Sequence, residues 1–413
     1  MHVLFIHPSF PAQFGHLASR LTTEYGWHCS FLTSVDTSHM QLPFDHWNYH
    51  VKPGPLPKVY RSDRTAMEPF VHMAAIYQGL RGTPTIKPDL VVGHTYFGSL
   101  MFLRQLYDCP LVGYFEWLPP PFWTDEFALR PDYPPNDEER LAAAAGHVLN
   151  YRLLHLIDAA YTPTNYQRGT APSELRYKIE VVHDGIDTDF FSRRTLPRQQ
   201  DVVFRDVKIG PRTKVVTYVS PGLEAWRGFD IFMQTAARLA ERYDDIVFLI
   251  AGEELTQYGH ETRILQPLSF KQHVLARGKY DPAKFRFLGR LSLDELVTLF
   301  SLSDLHVYLT VPFVMSWSLL QAMSAECAIV ASATAPVEEA IDDGTHGLLA
   351  PFYDVSALTD GAIKVLDSPK LARELGHAAR ARVLERYRQR DCLAQLASFF
   401  ERVAKNGRGE HIH

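Results

Sequence analysis

Five short segments combine residue types and spacings that could do chemistry, and each directly follows an apolar run. The first is Ser220-Pro221-Gly222-Leu223-Glu224-Ala225-Trp226-Arg227-Gly228. Its glycines permit close backbone approach, and Arg227 could neutralise a phosphate. The same segment also reads as an ordinary β–α turn with a solvated arginine. The second is Ser316-Trp317-Ser318-Leu319-Leu320-Gln321. Ser316 or Ser318 can cap a helix whose first N–H groups and dipole favour an anion. Gln321, expected on the first turn, could hydrogen-bond sugar hydroxyls. The plain alternative is a capped core helix that packs Leu319, Leu320 and Met323 inward.

The third segment, Gly93-His94-Thr95-Tyr96, places a histidine just beyond a strand. With 19 histidines in the chain, position rather than residue type singles out His94. The fourth, running from Tyr114 to Trp123, carries Glu116 at a strand end. A proline-stiffened loop with Phe122 and Trp123 follows, and its rings could stack on a sugar or another flat acceptor. The fifth contains Arg290 and Leu291, whose backbone could meet a nucleobase. Asp187-Thr188-Asp189 has the spacing of a metal-binding pair but reads as a turn. The chain contains no HExxH, GxGxxG or GxxxxGKS motif.

The elements that must position these residues alternate between short apolar strands and amphipathic helices. In the first half, strands are expected over 2–6, 27–32, 89–92, 110–115, 159–162 and 179–182. Helices are expected over 14–25, 97–106 and 136–155. The segment 187–211 is polar and rich in breakers, so it reads as a linker. Beyond it, strands are expected over 214–219, 246–251, 285–288, 305–309, 328–331 and 347–350. Helices are expected over 229–243, 292–300, 318–325, 337–341, 355–366, 370–386 and 392–403. Such alternation means βαβ units and parallel sheets covered on both faces. In sheets of that kind, ligands sit beyond the carboxyl ends of the strands near a switch point.

A chain of 413 residues exceeds what one core usually serves. The expectation is an α/β protein of two doubly wound domains, 1–196 and 197–388, with a helical tail at 389–413. Hydrophobic content of 46% and charged content of 22% are those of a globular protein. A net charge of -5 gives no footprint for nucleic acid. Cys29, Cys109, Cys327 and Cys392 lie far apart, which fits a reducing compartment. The N-terminus lacks the pattern of a secretory signal, and no apolar run has the length of a spanning helix. The reading is cytoplasmic, with attachment to a membrane surface left open by Lys58, Arg61 and Arg64.

In this order, the motifs resemble the fourth family of retaining glycosyltransferases. The resemblance covers nearly the whole chain. It rests on HVLFIHPSFPAQFGHLASRL, VVHDGIDTDFF, YVSPGLEAWRGFDIF, FRFLGRLSLDELVTLFSLSDLHVYLT, SWSLLQAMSAECAIVAS and APVEEAIDDGTHGLLAPFYD. It implies the GT-B fold, two facing Rossmann-like domains with a cleft between them. The donor, a nucleotide-diphosphate sugar (UDP- or GDP-linked), would bind mainly to the second domain. The acceptor, a glycan, a lipid-linked molecule or a small molecule, would bind mainly to the first. The final helix would cross back to the first domain. Catalysis would need no metal or other cofactor.

The resemblance also implies site residues. His94 would lie near the transferred sugar and Arg227 on the diphosphate, both catalytic, and Glu116, a carboxylate at a strand end, joins them as a catalytic candidate. Gly15, Gly222, Arg227, Arg290, Leu291, Ser316, Trp317, Ser318, Gln321 and Glu339 would bind the donor. Three positions depart from the family pattern. Phe313 and Gln321 stand where the family has glutamates eight residues apart, and Pro221 stands where it has a basic residue. They leave open a protein that binds a nucleotide sugar without transferring it. An epimerase, a phosphorylase or a transferase to a non-sugar acceptor on the same fold also stays open.

Overall fold

A computed structural model describes residues 1–51, 61–118 and 129–407, with backbone alone for residues 61–66. The aromatic loop expected at 119–123, with Phe122 and Trp123, lies outside the described residues. So do Lys58 and the side chains of Arg61 and Arg64.

The chain divides into two compact units. One comprises Met1–Phe127, Pro135–Asp184 and Cys392–His413; the other comprises Ala128–Pro134 and Gly185–Asp391. The change of unit after Asp184 precedes the expected boundary at 196, because 185–196 packs on the second core. Phe191 belongs to that cluster.

The first unit contains β1 (His2–Ile6), α1 (Gly15–Tyr25), β2 (His28–Thr33), β3 (Asp45–Asn48), α2 (Arg61–Arg81) and β4 (Leu90–His94). These are followed by β5 (Leu111–Tyr114), α3 (Asp137–Leu156), β6 (Ala159–Thr162), α4 (Asn165–Thr170) and β7 (Ile179–Val181). Among the described residues its sheet runs β3-β2-β1-β4-β5-β6-β7, every neighbour pair parallel. The order reverses between β1 and β4. Successive β1 residues point to opposite faces and meet different cores. Val3 and Phe5 pack with Phe14, Leu17, Leu396 and Phe400. Leu4 and Ile6 pack with Ile76, Leu80 and Leu153. Both faces are covered, as a parallel sheet requires.

Local sequence explains the ends of these elements. Asn136 accepts the Glu139 N–H at 2.8 Å and Glu139 accepts the Asn136 N–H at 2.8 Å, a reciprocal cap at the start of α3. Gly26, at φ +65°, closes α1 in the left-handed region.

The helix expected over 97–106 does not form. Gly98 takes φ +65°, and turns lead into a 3-10 turn over Leu103–Gln105. A left-handed residue breaks the helical ladder. Conversely, β3 and α2 were not read from the sequence. Strand β3 is short and polar, and α2 carries Pro69 within it.

The second unit begins with the hairpin β8 (Val202–Phe204) and β9 (Val207–Ile209), inside what reads as linker. It continues through β10 (Lys214–Gly222), α5 (Phe229–Arg242), β11 (Ile246–Glu253), α6 (Glu261–Leu265), α7 (Phe270–Leu275) and β12 (Phe285–Gly289). Then come α8 (Leu293–Leu302), β13 (Leu305–Tyr308), α9 (Trp317–Ser324), β14 (Ile329–Ser332), α10 (Ala335–Glu338) and β15 (Leu348–Ala350). Helices α11 (Val355–Leu366) and α12 (Pro369–Arg386) complete it. The parallel sheet runs β12-β11-β10-β13-β14-β15 and reverses between β10 and β13. The helix expected over 337–341 is the shorter α10, which starts at Ala335 with Pro336 in its first turn. The short helices α6 and α7 were not expected. The last helix, α13 (Gln389–Asn406), places Leu393, Leu396, Phe399 and Phe400 in a core cluster of the first unit.

Candidate functional site

Each sheet carries a polar constellation beyond the carboxyl ends of its strands, beside the reversal in strand order. In the first unit, His94 ends β4 and is fully buried. Its Nδ1 accepts the Tyr96 N–H at 3.1 Å. A neutral ring therefore carries its proton on Nε2, which lies 3.5 Å from Glu116 Oε2. The Glu116 side chain follows β5 and is 34% exposed, so the pair is buried on one side and open on the other. The structure thus brings two of the sequence-derived candidates together.

Burial shifts three further histidines of the first unit. His7 follows β1, with its ring 5.5 Å from that of His94. Burial, with His94 beside it, lowers the His7 imidazole to about 3. Its Nδ1 accepts the Ser9 N–H at 2.9 Å, whereas its buried Nε2 has no partner. Burial lowers His16 and His183 each to about 4. Tyr114 donates to Asp184 Oδ2 at 3.3 Å and is pushed well up by burial. Sequence reasoning missed His7. The signal was available, because His7 follows β1 as His94 closes β4. His183 carried the same signal, since it follows the strand expected over 179–182, whereas His16 lies inside α1.

In the second unit the turn after β10 folds as a 3-10 segment over Ala225–Arg227 and ends at Gly228, φ +63°. Arg227 is 3% exposed. Its Nη1 donates to Thr310 Oγ1 at 2.9 Å and to the Val314 carbonyl at 3.1 Å, with Tyr308 Oη at 3.5 Å. The guanidinium carbon lies 5.5 Å from the ring centres of Tyr258 and of Phe313. The Tyr308 hydroxyl also accepts the Ser316 N–H at 2.9 Å. Ser316 caps α9, its Oγ accepting the Ser318 N–H at 3.3 Å. Arg227, Ser316 and Ser318 are therefore linked through Tyr308. Nε of Arg227 is buried without a hydrogen-bond partner, and Nη2 has none among the described residues.

Buried carboxylates brace this turn, and the sequence did not reveal them. Glu224 Oε2 accepts the N–H groups of Gln257 at 2.8 Å, Tyr258 at 2.7 Å and Gly259 at 3.2 Å. Burial raises its pKa. Glu261 Oε1 accepts the Ala225 N–H at 3.0 Å. On the other side, Arg130 is fully buried and donates to the Ala225 carbonyl. It also donates to Asp132 Oδ2 at 2.6 Å and Asp230 Oδ2 at 2.8 Å.

The other candidates are placed as follows. Trp317, 39% exposed, opens α9. Gln321 is the fifth residue of α9 and so enters the second turn rather than the first. Arg290, with a side chain 83% exposed, lies 4.0 Å from Glu253 beyond β12, and Leu291 follows it, partly buried. Glu339 follows α10 and is partly buried. Among the described residues, Arg290, Leu291 and Gln321 take no part in the hydrogen bonds around Arg227. Gly222 packs so closely that a Cβ would come 2.5 Å from the Leu255 carbonyl oxygen. Gly15 belongs to the first unit, where a Cβ would meet Pro11 Cβ at 2.4 Å. Asp187 makes the expected turn, its Oδ1 accepting the N–H groups of Asp189 at 3.2 Å and Phe190 at 3.0 Å. Among the described residues no group of three or more His, Cys, Asp or Glu is arranged to hold a metal.

Residues 25–191 match the family model of the glycosyl transferase family 4 group, and residues 200–382 match that of glycosyl transferases group 1. The chain belongs to the glycosyltransferases. Over 235 residues, 57% of the chain and 56% of the relative, this glycosyltransferase is 23% identical to N-acetyl-alpha-D-glucosaminyl L-malate synthase of Bacillus anthracis. The chain spans about half the length of the curated relatives it matches.

Among solved structures, sucrose-phosphate synthase from Thermosynechococcus elongatus superposes with TM-score 0.72 at 16% identity. The match covers 98% of this chain and 100% of that one. Anabaena HepE, in complex with UDP and glucose, superposes with TM-score 0.67 at 16% identity, over 97% of this chain and 99% of its own. The fold is GT-B, with two parallel-sheet α/β domains. Among the described residues no helix is long and apolar enough to cross a membrane.

Proposed function

We propose that this protein is a retaining, metal-independent transferase. It moves a hexose-type sugar from a nucleotide-diphosphate sugar to an acceptor hydroxyl. The observation that carries this reading is the state of Arg227. One terminal nitrogen fixes the guanidinium in place, and Nε and Nη2 are left without a hydrogen-bonded partner. A cation held rigid at a strand end, next to the capped start of α9, needs no reorganisation to meet a diphosphate. In the proposed step the bond from the anomeric carbon to the β-phosphate oxygen breaks. The acceptor oxygen bonds that carbon from the same face, and the acceptor proton leaves on the departing phosphate. Arg227 and the α9 terminus receive the negative charge. His94 and Glu116 serve the sugar and acceptor side. A uridine diphosphate sugar is the first donor to test, because HepE holds UDP and glucose.

A second reading is donor binding without transfer. It draws on Phe313, whose ring packs 5.2 Å from Trp226 and 4.8 Å from Tyr258, beside Arg227. An apolar ring there supplies no carboxylate to hold a sugar.

The test is a thermal-shift screen of UDP, GDP, ADP and CDP with their common sugar conjugates, followed by product analysis. A shift for one base, larger with the sugar attached and lost in Arg227→Met, supports the donor assignment. Absence of any shift overturns it. Transfer with retained anomeric configuration in the presence of EDTA supports the full reading. Under the second reading, Pro221→Arg with Gln321→Glu creates or raises activity; under the first it leaves activity unchanged or lowers it.

A further inference from the structure

A different group of charges lines the amino-terminal edge of the second sheet. Lys214 opens β10, Ser303 and Asp304 precede β13, and Ala328 precedes β14. With the first turns of α12, these residues enclose a cavity of about 550 Å³. Along β10 this edge is eight residues from Gly222, or about 26 Å at the usual strand rise. It is therefore not part of the constellation around Arg227.

The cavity gathers five permanently cationic side chains, Arg193, Arg198, Arg212, Lys214 and Arg373, against two carboxylates, Asp304 and Glu326. In the chain as a whole acidic residues outnumber basic ones, 47 to 42, so the excess is local. Part of this charge is committed. Arg198 Nη2 reaches Asp304 at 3.2 Å, Lys214 Nζ donates to the Leu366 carbonyl at 2.6 Å, and Glu326 takes His377 at 3.0 Å. Part is not. Arg198 Nη1 is buried with no hydrogen-bond partner. Arg212 and Arg373 are exposed at the rim and have no side-chain partner among the described residues. The start of α12 adds the positive end of an 18-residue helix.

We propose that this cavity binds a small, multiply charged phosphate-bearing anion, of the diphosphate or phosphate-ester class. Arg198 would meet it inside, and Arg212 and Arg373 at the rim. A planar guanidinium with a bare terminal nitrogen suits phosphate oxygens. The Arg198 side chain is 25% exposed, and its Nη1 is a donor for which the protein supplies no acceptor.

The probe is inorganic pyrophosphate, titrated calorimetrically into the full chain at low salt. Three proteins are compared: the unmodified chain, Arg212→Gln/Arg373→Gln and Arg227→Met. The rim arginines are exposed and unpaired, so that variant keeps its fold, which circular dichroism checks. The expected result is binding that persists in Arg227→Met and weakens at least tenfold in the rim variant. The single variant Arg373→Gln should weaken it by a smaller factor. No binding to the unmodified chain overturns the proposal, as does binding lost only in Arg227→Met. A lipid headgroup offers the same phosphate, so flotation with phosphatidylglycerol vesicles is the second arm. Flotation that depends on Arg212 and Arg373, without pyrophosphate binding, overturns the assignment to a soluble ligand.

Discussion

Replacing Arg130 by methionine tests whether the turn that carries Arg227 is held from outside. Arg130 is 0% exposed at its side chain, and Asp230 is 16% exposed. The variant therefore leaves Asp230 charged, largely buried and unpaired, and takes one of two donors from the Ala225 carbonyl, which keeps the Gly228 N–H at 2.9 Å. Asp132, 44% exposed, can turn to water and adds little. Breaking a buried pair in this way costs about 3–5 kcal/mol.

Removing both charges, in Arg130→Met with Asp230→Leu, should recover about 2 kcal/mol or more of the sum of the single changes. Arg130→Lys keeps the charge but loses the fork that reaches two carboxylates, so it should fall between. Urea unfolding followed by tryptophan fluorescence and circular dichroism gives the stabilities. Donor affinity in the same variants shows whether the anchor also positions Arg227, two residues beyond Ala225. The reasoning is refuted if Arg130→Met costs less than about 1 kcal/mol, or if the double variant is as unstable as the two single changes added together.

Gly222→Ala forces a Cβ to within 2.5 Å of the Leu255 carbonyl oxygen. It should cost about 1–3 kcal/mol in urea titrations, and an unchanged midpoint would count against close packing there. Phe400 is fully buried, with ring centres 6.4 Å from Phe5 and 5.8 Å from Tyr161. Phe400→Ala should cost about 3–5 kcal/mol. Its unfolding should appear first in probes of the first domain. His7, His16 and His183 titrate near 3, 4 and 4 in the folded protein against an ordinary value of 6.5. As pH falls below 6.5 the unfolded chain takes up these protons and the folded one does not. Stability should decline toward pH 4, by up to about 1.4 kcal/mol per pH unit for each histidine. Unfolding midpoints at pH 7.0, 6.5, 6.0 and 5.5 check this, and a flat profile refutes it.

Much of this architecture is legible in the sequence because local and tertiary signals agree. The run HVLFI, buried on both faces, reads as a parallel strand without further help. Asn136 with Glu139 marks the start of α3 three residues apart. The candidates His94, Glu116, Arg227 and Ser316 follow from one rule, that polar residues beyond strand ends collect at a reversal of strand order. What was not legible depends on distant partners. Arg130 sits in a proline-rich stretch, and its carboxylate Asp230 lies one hundred residues on. Glu224 meets three N–H groups of the 257–259 segment, a nest that only the folded chain forms. The expected helix over 97–106 failed at Gly98, whose positive φ is a tertiary choice. Conversely, Pro69 hides α2 from any reading that treats proline as a breaker.

The helix α13 gives the chain an unusual order of assembly on the ribosome. Leu393, Leu396, Phe399 and Phe400 lie in one cluster with Val3, Phe5 and Phe14 from the first strand and its helix. The ribosome makes the residues from 185 onward before that cluster can close. At about 5–20 residues per second, roughly 230 residues take on the order of 10–50 s. During that interval the part of this sheet face that α13 covers is open to solvent or to a chaperone, while α1 can already cover the rest. The second domain, most of it one continuous stretch, can close before it. The domain that is synthesised first is thus the one completed last.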